Sequence, residues 1–316
     1  MTKPELPAGF KEPHNLDFSK QDFIAAPQNS WLAASVMPLV HVRGNLIRSI
    51  GTCFAITGGG LCLTARHVIE DAWVAPFVDG RDPTDDDGSI FALYSSPVKN
   101  EDHPDKLVGG LVPITHAYVN FSLDIAVVHL NLPRHVTTGE PPPLLQLQLG
   151  LAPPTIGQAC MAIGYHSATW EVDDDNVALD HQMSASRGTI EELHIPQRDS
   201  VMAPFPCFRT SARYDGGMSG GPVITEDGLV RGVVCSSLSL GDAEGYTSLA
   251  SMIGVATLIN LRGKHGPNGE PESLFLWDFV AGGAVKADAT GFAASRQPKE
   301  LGVQFGGGRF TNVLSS

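Results

Sequence analysis

Between Leu132 and Gly157 the chain reads LPRHVTTGEPPPLLQLQLGLAPPTIG, with six prolines in one joint. Proline lacks the amide proton that a sheet ladder needs, so such a stretch is barred from the centre of any sheet. It reads as a linker and divides the chain into two halves. Both halves consist of short apolar runs cut by glycine, proline and small polar residues, the punctuation of strands rather than of helices. The 34 glycines and 23 prolines among 316 residues supply the turns. Strand patterns at similar spacing on both sides of a linker predict an all-β chain built as two antiparallel barrels or sandwiches.

The first half offers SVMPLVHVRG from Ser35, SIGTCFAIT and GLCLTA, with Gly58, Gly59 and Gly60 forming the hairpin turn between the last two. A polar stretch from Asp79 to Asp105 is expected to be a long loop around a short strand, IFALYSS, followed by strands HAYVNF and DIAVVHL. The second half offers QACMAIGY, MSASRGTIEEL, CFRTSA, GGPVIT, LVRGVVCSS and GYTSLAS. SMIGVATLINL, Ser251 to Leu261, has apolar residues suited to a closing helix. Beyond it the chain is glycine-rich with one apolar cluster, SLFLWDFV, and its sequence assigns no fold.

A net charge of −13 without a basic stripe argues against nucleic acid or an anionic membrane as partner. The acidic runs DPTDDD and EVDDD read as solvated loops; a calcium loop is the other reading, but their spacing is wrong for an EF-hand. The N-terminal residues lack the apolar core of a signal peptide, and no run of about twenty apolar residues occurs, so neither export nor a membrane span is expected. The five cysteines, Cys53, Cys62, Cys160, Cys207 and Cys235, lie mostly in apolar runs and form no CxxC. They read as buried free thiols in a reducing, cytoplasmic compartment, with no structural zinc and no cofactor expected. On that reading the glycosylation-type sequon at Asn120 has no role.

The stretch RYDGGMSGGPVI, Arg213 to Ile224, sets Gly216, Gly217, Gly220 and Gly221 around Ser219. Four glycines in six positions mean torsions closed to other residues, or backbone brought close to something else. A serine on such a turn is a candidate nucleophile, but its hydroxyl needs a base, and the base an orienting carboxylate. His67, at the end of an apolar strand in LCLTARHVIEDAW, is the candidate base; alone it reads equally as a structural histidine. Asp124, opening the strand in LDIAVVHL, is the candidate acid; alone it reads equally as a turn or cap residue.

TARHV, LDIAVVHL and GGMSGGPV follow one another in the order His, Asp, Ser. On these motifs the chain resembles the trypsin-like peptidase family, and is closer to its bacterial HtrA-like branch than to digestive trypsins. GTCFAITGGGLCLTARHVIEDA is similar to that branch's strand–turn–strand–histidine motif, and GMSGGPVITEDGLVRGVV to its serine motif with the following hairpin. The resemblance spans residues 35–260. It implies two six-stranded Greek-key barrels with an active site in the cleft between them, plus a short C-terminal helix and tail. The implied layout is an N-terminal arm at 1–30, a peptidase domain at 31–261 and an extension at 262–316. Within the domain, the first barrel covers 31–132, the linker 133–156 and the second barrel 157–261.

The resemblance also implies a catalytic triad of His67, Asp124 and Ser219, with the backbone N–H groups of Gly217 and Ser219 as the oxyanion hole. It places Arg213 at the floor of a specificity pocket walled by Cys235, Ser236 and Ser237; Arg213 there would favour acidic side chains, while the other reading points it to solvent. Met218 replaces the aspartate that digestive trypsins carry before the nucleophile, where it pairs with a freed N-terminus, and Val68 replaces the cysteine after their histidine. No PDZ-like region follows. The implied activity is a serine endopeptidase acting on proteins or peptides, open to control by a regulatory partner. The alternative is a catalytically silent barrel used for binding.

Overall fold

The computed structural model describes residues 22–26, 31–43, 46–78, 88–97, 107–133, 144–173, 176–239, 246–262, 273–297 and 300–313. The chain opens with a short strand, β1 (Phe23–Ala25), and a 3-10 turn at Trp31–Ala34. Six strands follow: β2 (Val36–Arg43), β3 (Leu46–Ala55), β4 (Leu61–Thr64), β5 (Ser89–Pro97), β6 (Leu107–Val119) and β7 (Ala126–Leu130). They close into a barrel in the order β2-β3-β4-β7-β6-β5. Closure pairs every strand on both sides, so short strands with mixed patterning leave no free edge. The barrel interior is filled by side chains such as Leu39, Phe54, Leu63, Ile125 and Val127.

The expected glycine turn joins β3 to β4, and Gly60 takes a φ of +98°, open only to glycine without strain. A helix, α1 (Arg66–Val78), leaves β4 directly. The IFALYSS run lies in β5, while most of the polar sequence on either side lies outside the described residues. The HAYVNF strand stops at Val119, because Asn120 turns the chain: its side-chain oxygen accepts from Ser122 N–H at 3.0 Å and its carbonyl from Leu123 N–H at 2.9 Å.

The linker's second half is anchored rather than loose. Leu145 N–H donates to Ala34 O and Leu147 N–H to Ala55 O, and β8 (Leu149–Gly150) then enters the second sheet. That sheet contains β9 (Ala159–Asp173), β10 (Asn176–His194), β11 (Cys207–Thr210), β12 (Pro222–Thr225), β13 (Val230–Ser239) and β14 (Tyr246–Met252). The chain of pairings β12-β9-β10-β11-β14-β13 returns from β13 to β12, so these six strands form a second closed barrel. β8 pairs in parallel with β13 from outside. β9 and β10 outrun the barrel as one long hairpin, paired as far as Asp173 and Asn176.

Three elements take forms that the sequence leaves open. The arm is partly sheet, since Phe23, Ile24 and Ala25 pair antiparallel with Ser186, Ala185 and Ser184 of β10. The closing helix is a 3-10 segment, Ile253–Leu258, between β14 and β15 (Asn260–Arg262). All six of its residues are buried, so it has no polar face on which an amphipathic α-helix could rest. The extension is folded: β16 (Ser273–Phe275) pairs with β15, followed by α2 (Leu276–Ala281) and β17 (Ala287–Asp288), which pairs with β8. A meander of β18 (Phe292–Gln297), β19 (Glu300–Phe305) and β20 (Gly308–Val313) ends the described chain. Leu301, Val303 and Phe305 of β19 are buried, and Asn312 Nδ2 donates to Leu258 O at 2.8 Å. The meander covers the 3-10 segment.

Candidate active site

His67 is the second residue of α1, and Asp124 lies just before β7, the strand paired with β4. That pairing brings the two residues together. His67 Nδ1 lies 2.9 and 3.0 Å from the Asp124 carboxylate oxygens, and the His67 backbone N–H donates to the same carboxylate at 3.1 Å. Asp124 is 7% exposed, so its charge is held by these donors and by the positive end of α1 rather than by bulk water. A carboxylate can only accept, so Nδ1 carries the proton and Nε2 is left with its lone pair. Burial opposes a charge on the imidazole, but the Asp124 hydrogen bond and charge outweigh it and hold the His67 pKa above the ordinary value. Beside the pair, Arg66 Nη1 donates to Phe121 O at 2.7 Å, and the Phe121 side chain stands exposed.

Ser219 belongs to a loop tied to both barrels. Its carbonyl accepts from Thr52 N–H of β3 at 2.8 Å, Gly220 N–H donates to Val234 O of β13 at 2.8 Å, and Gly221 N–H donates to Met218 O at 2.9 Å. Gly217 and Gly220 have φ of +90° and +88°. A Cβ on Gly220 would collide with Thr52 O and Thr64 Oγ1, and one on Gly221 with Ile163 O, so these glycines allow the loop to lie flat against its supports. A Cβ on Gly51 would lie 2.8 Å from both Ser219 O and the Val68 methyls, so the serine loop and the residue after His67 meet over one glycine. Among the described residues, neither the Ser219 hydroxyl nor the N–H groups of Gly217 and Ser219 have a hydrogen-bond partner.

Thr52 is the residue that sequence reasoning misses. It is fully buried; its Oγ1 donates to Gly217 O at 2.9 Å and accepts from Tyr165 N–H of β9 at 3.0 Å, while its carbonyl accepts from Thr64 Oγ1 at 2.7 Å. One threonine thus joins the first barrel to the glycine loop and to the second barrel. The only signal in the sequence is a polar residue inside the apolar run SIGTCFAIT.

The residues assigned to the pocket sit as follows. Arg213 is half-exposed; its Nε donates to Asp215 Oδ1 at 2.7 Å and its guanidinium lies 5.1 Å from the centre of the Phe23 ring. Cys235 is buried, with Sγ 3.1 Å from Leu249 O, at a bulge where the β13–β14 register shifts between Val234 and Ser236. Ser236 pairs with Leu249 and Ser237 with Ser248 along β14. Met218 is fully buried, and its Sδ accepts from Asp215 N–H at 3.4 Å. All five cysteines are buried free thiols. Burial pushes Cys160 and Cys207 up to about 12 and Cys62 well above its ordinary value, so these three stay protonated and are poor nucleophiles.

Two closed six-stranded barrels, with a His–Asp pair on the first and a glycine-held serine on the second, define the chymotrypsin-like class. The trypsin-like peptidase domain matches residues 51–233, more than half of the chain, and the chain belongs to that family. No curated protein matches it in sequence. Among solved structures it is similar to Deg5, with 19% identity over 70% of this chain and 84% of that one and a TM-score of 0.44. It is also similar to the active form of the Rv3671c protease from M. tuberculosis, at 22% identity, 73% and 82% coverage and a TM-score of 0.41. Neuropsin from mouse brain is 13% identical over 72% of this chain and 92% of its own, with a TM-score of 0.44. No helix among the described residues is long and apolar enough to cross a membrane.

Proposed function

We propose that the protein is a serine endopeptidase acting on protein or peptide chains, with Ser219 as nucleophile, His67 as base and Asp124 as the group that orients it. The observation that carries this reading is the buried Asp124 carboxylate holding His67 at Nδ1, 2.9 Å away, beside the serine loop. With Nδ1 occupied, Nε2 takes the proton of the Ser219 hydroxyl as the oxygen attacks the scissile carbonyl. The oxyanion that forms accepts from Gly217 and Ser219 N–H, groups with no other partner among the described residues. The imidazolium, stabilised by Asp124, returns its proton to the leaving amine. A water molecule, deprotonated by the same nitrogen, then releases the acyl group and regenerates Ser219.

The test is digestion of a denatured protein by the parent and by Ser219→Ala, with thermal melting of both. Loss of cleavage with an unchanged melt is expected, since the substitution deletes one hydroxyl on a turn. Equal cleavage by both excludes Ser219 as nucleophile. No cleavage by either favours the silent, binding form of the fold.

A further inference from the structure

We infer that Phe23, in the N-terminal strand, is a positioning residue for the serine loop: its ring contacts the start of that loop at Arg213 and the strand beneath it at His166, and so holds Gly217 and Ser219 in register. The inference rests on the peptidase reading for its consequence but not for its geometry.

β1 lies on β10 beside the serine loop, in register Phe23↔Ser186 and Ala25↔Ser184, and is fastened at both ends: Arg187 N–H donates to Asp22 O at 2.8 Å and Ala26 N–H to Met183 O at 2.7 Å. From this strand the Phe23 side chain packs against the apolar core and, among the described residues, meets two polar groups. One is the Arg213 guanidinium, 5.1 Å from the ring centre, a cation–π contact. The other is the His166 ring, edge-on at 5.2 Å and an interplanar angle of 81°.

Each contact leads into the loop. Arg213 holds Asp215 at 2.7 Å; the Asp215 carbonyl accepts from Met218 N–H at 3.1 Å, and the Asp215 N–H reaches Met218 Sδ. His166 follows Tyr165, on whose carbonyl Gly217 rests so closely that a Cβ would lie 2.5 Å from that oxygen and 3.4 Å from His166 Cα. The His166 ring is fixed in turn by Ser184 Oγ at 2.8 Å, on the residue paired with Ala25. One phenyl ring therefore braces the residues before Gly217 through Arg213 and the backbone beneath Gly217 through His166.

The experiment uses the full chain as parent, Phe23→Ala, Phe23→Leu and Phe23→Tyr. Two readouts are taken: fluorophosphonate labelling of Ser219 over a range of probe concentrations, and amide hydrogen exchange across residues 211–221. Leu keeps apolar bulk but has no π face, and Tyr keeps the π face, so a role in packing alone and a role in gripping Arg213 and His166 give different orders. The expected result is a labelling rate at saturating probe that falls about ten- to a hundredfold in Phe23→Ala and Phe23→Leu. The half-saturating concentration stays unchanged, Phe23→Tyr behaves as the parent, and loop amides exchange faster only in the first two. Phe23→Leu labelling and exchanging like the parent overturns the inference. A parent that neither labels nor cleaves overturns the peptidase reading instead; exchange then decides this inference alone, and unchanged loop exchange in Phe23→Ala and Phe23→Leu defeats it.

Discussion

His67 faces opposed demands. Its charged form is favoured by Asp124, which raises its pKa, whereas the proposed attack by Ser219 needs the neutral form. A histidine whose folded pKa lies above its unfolded value stabilises the fold most below that unfolded value, about 6.5. That contribution is lost as pH rises through the folded pKa. The rate moves the other way: kcat/KM should rise with pH along a limb centred above the ordinary histidine value and stay flat beyond it. A pH profile of peptide hydrolysis checks this, and a limb centred below about 6.5 contradicts the Asp124 pairing. Asp124→Asn should reduce kcat by about ten-thousandfold, because an amide stabilises the wrong imidazole tautomer. Met218 leads to a different expectation. A new N-terminal ammonium inserted beside it would be buried without a counter-charge, at a cost of several kcal/mol. Acetylating the N-terminus should therefore leave activity unchanged, whereas activity that depends on trimming to a free terminus would contradict this.

At the scale of elements, the strand β3 and the serine loop depend on each other through Thr52. Thr52→Val keeps the shape but leaves Gly217 O without its donor and Tyr165 N–H without its acceptor. Each orphaned group costs about 1–3 kcal/mol, so a loss of about 2–6 kcal/mol is expected in urea denaturation. Peptidase activity should fall with it, and Thr52→Ser should restore both. What the sequence reveals divides along the same line. The motifs around His67, Asp124 and Ser219 are legible because each proposed role sits in one contiguous string, with glycines or a strand end beside it. Thr52 and Phe23 are not legible, because their partners lie 113 or more residues away in Tyr165, His166, Arg213 and Gly217. β1 escapes notice for a similar reason: three residues have no periodicity, and only the exposed flank of β10 makes them a strand. The type of the closing helix is not legible, because an apolar run buried on every side carries no helical stripe to read.

For the molecule as a whole, the two-part division is legible in the proline-rich joint, but the way the parts are fastened is not. The linker's second half bonds to the first barrel and then joins the sheet of the second. The extension closes over the same side: β17 pairs with β8, and Phe305 packs near Gly254 of the 3-10 segment, 3.3 Å from where a Cβ would stand. The C-terminal region is thus part of the second barrel's core rather than a separate domain. Ending the chain at Arg262 should strip this cover from buried apolar residues such as Val255 and Leu258 and lower the melting temperature. An unchanged melt would show that the extension is independent.

Whether Ser219 is a nucleophile activated by His67 and Asp124 is decided by mapping a fluorophosphonate adduct by mass spectrometry. The parent, Ser219→Ala and His67→Ala would be treated side by side in the folded state, with heat-denatured parent as control. One adduct is expected, on Ser219 of the folded parent, and none in either variant or in the denatured chain. An adduct on another residue, or equal labelling of the His67→Ala chain, would contradict it.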